Sequence, residues 1–181
     1  SGAFTLWHKA YKEMTERENR EYVQRYAKWA IDYNAKFAGI FRNIYFVTFD
    51  KIPGVYGSEP TQQEIRKAEK VSMENFLRLR DLGVPNLIPV VHQHERADLV
   101  WEYEALQGEN AYICFSPAND QDSASKAQWL KEVFAIKKPT TRVHALGVFS
   151  EELVMQFPWE SADATSWFVH VNNHIALIWD F

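Results

Sequence analysis

The sequence predicts an α/β fold built on a parallel sheet. Short apolar runs rich in β-branched and aromatic residues alternate with longer segments of helical periodicity. Those runs are apolar throughout, as strands covered on both faces are, which is the signature of βαβ units. They recur at intervals of roughly 25 to 40 residues, a spacing that suits either a (β/α) barrel or an open doubly wound sheet. Neither G-x-G-x-x-G nor G-x-x-x-x-G-K-[ST] occurs, which argues against a dinucleotide or P-loop site.

The first helix starts near Thr15. Thr15 and Glu18 form a T-x-x-E capping box, in which hydroxyl and carboxylate each satisfy an orphan N–H. Tyr22, Tyr26, Ala30, Tyr33 and Phe37 follow at helical spacing, and Gly39 ends the element. Ile44 to Asp50 reads as a buried strand that stops at a charge, and Pro53-Gly54 opens a loop. A second capping box, Thr61 and Glu64, starts a helix whose apolar face is Ile65, Ala68, Phe76 and Leu79, with Gly83 and Pro85 as stop signals. Leu87 to His92 reads as a strand weakened at Pro89. Leu99, Val100, Tyr103 and Leu106 predict a helix, Ala111 to Ser116 a strand, Ala127, Leu130, Val133 and Phe134 a helix, and Arg142 to Val148 a strand. Ser150 caps a short helix through Gln156. Ser166 to Val171 and His174 to Trp179, joined by Asn172-Asn173, predict a C-terminal β-hairpin. With no repeat, linker or low-complexity tract, residues 1–181 read as one domain.

Composition narrows the function classes. The 20 basic and 24 acidic residues leave a net charge of −4. That excludes a generally basic nucleic-acid coat or a polybasic membrane binder, though not a local basic patch. One cysteine, Cys114, excludes an internal disulfide and a cysteine-only metal site. No apolar run reaches the roughly 20 residues of a membrane span, and Ser1 to Phe4 do not open a signal peptide. The 7 Trp, 8 Tyr and 12 Phe must mostly be core.

In a parallel α/β fold the chemistry collects at the C-terminal ends of the strands. There the sequence places Asp50, then His92-Gln93-His94-Glu95, then Ser116 to Asp120, then Gly147, with Asp163 following among small residues. Each has a plainer reading. Asp50 caps a turn, His92 and His94 are polar loop groups, His144 is a structural residue in mid-strand, and Asp163 sits in an ordinary turn. Cys114 reads as an inert core residue, and Glu151 and Glu152 as a solvated helix start favoured by the dipole.

Several stretches together resemble the tRNA-guanine transglycosylases, in particular the phage-type relatives that place 7-deazaguanines in DNA or tRNA. Ser1-Gly2-Ala3-Phe4 looks like the tail of the D-S-G-[GA]-F motif, and Phe49-Asp50 like the second aspartate segment. Leu87 to His92 resembles a P-V-x-H strand, His144 to Val148 the H-x-L-G-V strand, and Ser161 to Trp167 the S-x-D-[SA]-T-S-W segment. The resemblance implies a (β/α)8 barrel and base exchange through a covalent aspartyl-glycosyl intermediate. It makes Asp163 the nucleophile and Asp50 the aspartate that bonds the base. It makes Gly147 the pocket glycine, Phe4 the aromatic near the base, and His92 a pocket-lining residue. The partners implied are DNA or tRNA and a 7-deazapurine base, in a cytoplasmic setting, the host's if the protein is phage-encoded.

The chain departs from that pattern. It starts inside the first motif, and at 181 residues against about 250 for a full barrel it is expected to lack the first strands. The exposed edges of such an incomplete barrel would allow a homodimer. The family's cysteine-rich zinc site is absent, so no cofactor is expected in this chain. Past residue 140 the only Lys or Arg is Arg142, so the charge for a nucleic acid is sought on Arg17, Arg20, Arg25, Lys36 and Arg42. Two other readings stay open. One is a metal-dependent barrel hydrolase using Asp50, His92, His94 and Asp163; the other is a degenerate member serving as an interaction module.

Overall fold

A computed structural model of the chain describes residues 14–55, 57–148 and 150–163. Its elements are α1 (Glu16–Phe37), β1 (Phe46–Val47), α2 (Gln62–Asp81), β2 (Leu87–Ile88), β3 (Val90–His92) and α3 (Leu99–Gln107). β4 (Tyr112–Ser116), α4 (Ser123–Ile136), β5 (Arg142–Leu146), α5 (Glu151–Gln156) and β6 (Ser161–Asp163) complete the order. All pairings are parallel. β1 pairs with β2, and β3, β4, β5 and β6 are neighbours in that order. The strands lie side by side in chain order, so among the described residues there is no reversal of the kind that marks a doubly wound sheet.

The helices cover one face of the sheet. Val91, Ile113, Phe115, Val143 and Ala145 form a single core with Phe76, Leu99, Tyr103, Leu130, Val133 and Leu153 from the helices. Val23, Ala27 and Ala30 of α1 and Leu79 of α2 close over Phe46 and Phe49. The opposite face carries Ile88, Val90, Tyr112 and Cys114, buried with no helical residue among them. Period-2 alternation therefore separates a structural face from the face where strand-end side chains collect.

Both capping boxes form as the spacing predicts: Thr15 with Glu18, and Thr61 with Glu64. The first strand is shorter than the apolar run from Ile44 to Asp50. Its last ladder bond is Thr48 N to Ile88 O at 3.0 Å, and side chains take up much of the backbone around and beyond it. The Tyr26 hydroxyl donates to Val47 O at 2.7 Å, Asn75 Nδ2 to Phe49 O at 2.9 Å, and Lys51 N to Ser72 Oγ at 2.9 Å. Pro89, which has no N–H, splits the second predicted strand into β2 and β3. Its carbonyl still accepts from Cys114 N at 2.8 Å.

Ser161–Asp163, for which the sequence predicts no element, is a strand. Glu160 N donates to Val143 O at 2.8 Å, and the register pairs Leu146 with Asp163. Its three residues are exposed, so no buried apolar pattern announced it. The predicted hairpin over 166–179 lies outside the described residues.

The loop after β1 turns at Gly54, whose φ is +67° and whose missing Cβ would sit 2.8 Å from Pro60 Cβ. Gly54→Ala is expected to lower stability by at least about 1–2 kcal/mol, the left-handed backbone penalty alone. A urea titration with unchanged slope reads this loss, and an unshifted midpoint would refute it.

Candidate functional site

The end of β3 carries three ionisable groups in contact. His92 Nε2 lies 2.6 Å from Asp50 Oδ2, and both side chains are buried. Burial alone would push the imidazole down, but the bonded Asp50 carboxylate outweighs it and holds the His92 proton more tightly than in water. The His92 backbone N–H donates to Glu95 Oε2 at 2.7 Å. Glu95 Oε1 is buried without a hydrogen-bond partner. Burial pushes the Glu95 carboxyl up to about 7, with His92 and its N–H pulling back only part of the way.

Helix α2 positions Asp50 from outside. Ser72 and Asn75 interrupt its apolar face and bond the backbone on either side of Asp50, at Lys51 and Phe49. Asn75 is itself fixed by Asn19 of α1, whose Nδ2 donates to Asn75 Oδ1 at 2.8 Å. Buried amides and hydroxyls of this kind are costly unless bonded, and here each is spent on the strand end.

A cleft opens beside His92, walled by Ile52, Pro53, Gln93, Ser116 and Asn119. Two loops meet over it: Gly57 N donates to Asp120 Oδ2 at 2.9 Å, and Gln121 Nε2 to Glu59 Oε1 at 3.0 Å. His94, at φ +81°, lines the same cleft and lies 3.4 Å from Glu59.

The ends of β5 and β6 form the second part. Gly147 N donates to Asp163 Oδ1 at 2.9 Å from a backbone with φ +68°. His144 Nε2 is 3.7 Å from the same oxygen, and its Nδ1 is 2.6 Å from Ser161 Oγ. Ser161 Oγ also meets the Tyr112 hydroxyl at 2.5 Å. Partial burial raises the Asp163 carboxyl, but His144 and the Gly147 N–H outweigh it and hold the acid below its ordinary range. Asp163 is therefore ionised at neutral pH while its side chain stays 60 % exposed. A cavity of about 200 Å³ lies against Gly147, Val148, Asn119 and Lys126.

Cys114 on β4 joins the two parts. It is fully buried. Its thiol is pushed well up, first by burial and then by both the Asp50 and the Asp163 carboxylates.

Of the residues singled out from sequence, Asp50 and His92 are in direct contact, and Gly147 and Asp163 are in direct contact. Phe4 lies outside the described residues. His144 stands in mid-strand as read, but its ring contacts Ser161 and Asp163, so it belongs with the site. Glu95, Ser161 and Tyr112 were not singled out. Glu95 had a signal, being the last member of an H-x-H-E run at a strand end. Ser161 opens the segment that resembles S-x-D-[SA]-T-S-W, but its contact with Tyr112 had no signal, because only the β4–β5–β6 register brings them together. Among the described residues, no three His, Cys, Asp or Glu side chains are grouped to hold a metal ion. No protein-family model matches the chain, and no curated protein matches it.

Proposed function

We propose that the chain is part of a (β/α) barrel that exchanges bases in DNA or tRNA, in the manner of the tRNA-guanine transglycosylases it resembles. Six parallel strands in chain order, in sheets of two and four, with helices on one face, support the barrel reading. The observation that carries the reaction is Asp163: an ionised, accessible carboxylate at a strand end, with two built-in partners.

Asp163 attacks the ribose C1′ of the target guanosine. The C1′–N bond breaks, its electron pair leaves with the guanine ring nitrogen, and that nitrogen takes up a proton. An ester joins Asp163 to C1′. The ring nitrogen of an incoming 7-deazaguanine then attacks C1′ and loses its proton. The ester C–O bond breaks, and the Asp163 carboxylate is restored. His144 and the Gly147 N–H stabilise the carboxylate as attacker and again as leaving group. Gly147, without a side chain, admits the base plane, and Asp50, which the resemblance makes the aspartate that bonds the base, is held by His92 at the wall of the cleft. Two carboxylates thereby divide the work, one ionised and exposed, one buried and paired.

Full-length protein mixed with labelled DNA or tRNA and a 7-deazaguanine is expected to give a covalent adduct on a denaturing gel. Asp163→Asn is expected to remove it, a loss of at least about a hundredfold, since the amide is no nucleophile. An adduct that persists in Asp163→Asn, or none from folded wild-type protein, would overturn the assignment.

A further inference from the structure

We infer that the outer face of α1 is a docking surface for a single-stranded segment of nucleic acid, a deepening of the proposed function that rests on it for the substrate class. An aromatic stripe runs the length of this helix: Tyr26 stacks on Trp29 at 5.6 Å, Trp29 meets Tyr33 at 5.3 Å, Tyr33 meets Phe37 at 4.5 Å, and Phe37 meets Phe41 at 6.2 Å. At its upper end Tyr22 stacks on Phe49 at 4.3 Å, the residue before Asp50. From Tyr22 to Phe37 the stripe extends about 22 Å along the helix, away from the rim that carries Asp50.

The stripe is half in and half out. Tyr22, Tyr26 and Tyr33 pack against the core that Val23, Ala27 and Ala30 enter, whereas Trp29 is 52 % exposed and Phe41, just past the helix, 50 %. An exposed tryptophan amid stacked rings offers a π-face to any base.

Charge identifies the partner. Residues 25–42 hold four basic residues, Arg25, Lys28, Lys36 and Arg42, against one acid, Asp32: a net of +3 in a chain of −4. Arg17 and Arg20 are paired with Glu21 and Glu16, and Lys28 with Asp32. Arg25 and Lys36 instead lie over rings of the stripe, Arg25 at 5.7 Å from Tyr22 and Lys36 at 5.2 Å from Phe37. Both are exposed. They follow the Trp29 side of the helix, four residues before it and seven after. Cations interleaved with stackable rings fit a polyanion whose bases are unpaired. An apolar helix of a second copy would leave those cations unmatched.

The test is anisotropy of labelled oligothymidylate and oligouridylate with the full chain over a salt series. Binding needs no turnover, so it is scored apart from the adduct. Trp29→Ala is expected to weaken binding roughly tenfold, with Trp29→Phe restoring most of it. Arg25→Gln with Lys36→Gln, both at exposed positions, is expected to lower the slope of log affinity against log salt by about 1.4. That pair keeps the test intact should Trp29→Ala fail to fold. Unchanged affinity and slope in folded variants would sink the inference even where an Asp163-dependent adduct forms. So would a wild-type chain that binds neither oligonucleotide, or a stripe whose Trp29→Ala change only disperses a dimer. Trp29-dependent binding without any adduct would support the surface and remove the base-exchange reaction.

Discussion

Asp50→Ala is expected to destabilise the folded chain by about 3–5 kcal/mol, the usual cost of removing one member of a buried charged pair. The size follows from what is left behind. His92 is buried and bonded to Asp50 at 2.6 Å, and without that acceptor its ring N–H has neither water nor partner. The imidazole also loses the interaction that holds its proton, so burial then dominates and drives its pKa down. Asp50→Asn is expected to cost less, about 1–2 kcal/mol, because an amide oxygen still accepts the bond while the charge is gone. Urea titrations of the three proteins give the order wild type, Asp50→Asn, Asp50→Ala. Equal midpoints for Asp50→Ala and wild type would mean that the pair contributes nothing to the fold.

The elements that the sequence made legible are those whose signal is local. Capping boxes at Thr15 and Thr61 fixed two helix starts to the residue. The apolar run at 112–116 became β4 because it is buried on both faces. What stayed hidden depends on partners distant in the chain. β6 is three exposed residues that become a strand only through β5. The first strand stops early because Asn75 and Ser72 capture the backbone at Phe49 and Lys51, and nothing near Phe46 records that. The same holds for the candidate site. Asp50, His92 and Gly147 were readable because each closes an apolar run in the sequence, whereas the role of Asp163 came from the resemblance alone. Their division into a buried pair and an exposed, N–H-bonded carboxylate was not readable, because it is set by register. Ser72 and Asn75 were the one clue available: two polar residues on the apolar face of a helix ask for buried partners.

Stability is expected to fall as pH rises from about 4.5 through 7, and Glu95 is the main cause. Its folded pKa, about 7, lies above the ordinary 4.5, so across that interval the folded chain binds more protons than the unfolded one and unfolding becomes easier as protons are withdrawn. His92 acts in the same direction. Its folded pKa is above 6.5, so its contribution is complete below that value and is lost as pH climbs through the raised one. Glu95→Gln separates the two. The amide copies the protonated acid: its oxygen still accepts from His92 N–H, and it cannot ionise in the site where Oε1 has no partner. The variant is therefore expected to match wild type near pH 5 and to exceed it by about 2–3 kcal/mol at pH 8, with only the shallower His92 loss remaining. Urea midpoints at the two pH values measure this directly. Curves that run parallel from pH 5 to pH 8 would show that Glu95 ionises in the folded state as readily as in water. The desolvation argument for His92 would then weaken with it, since burial acts strongly on both groups.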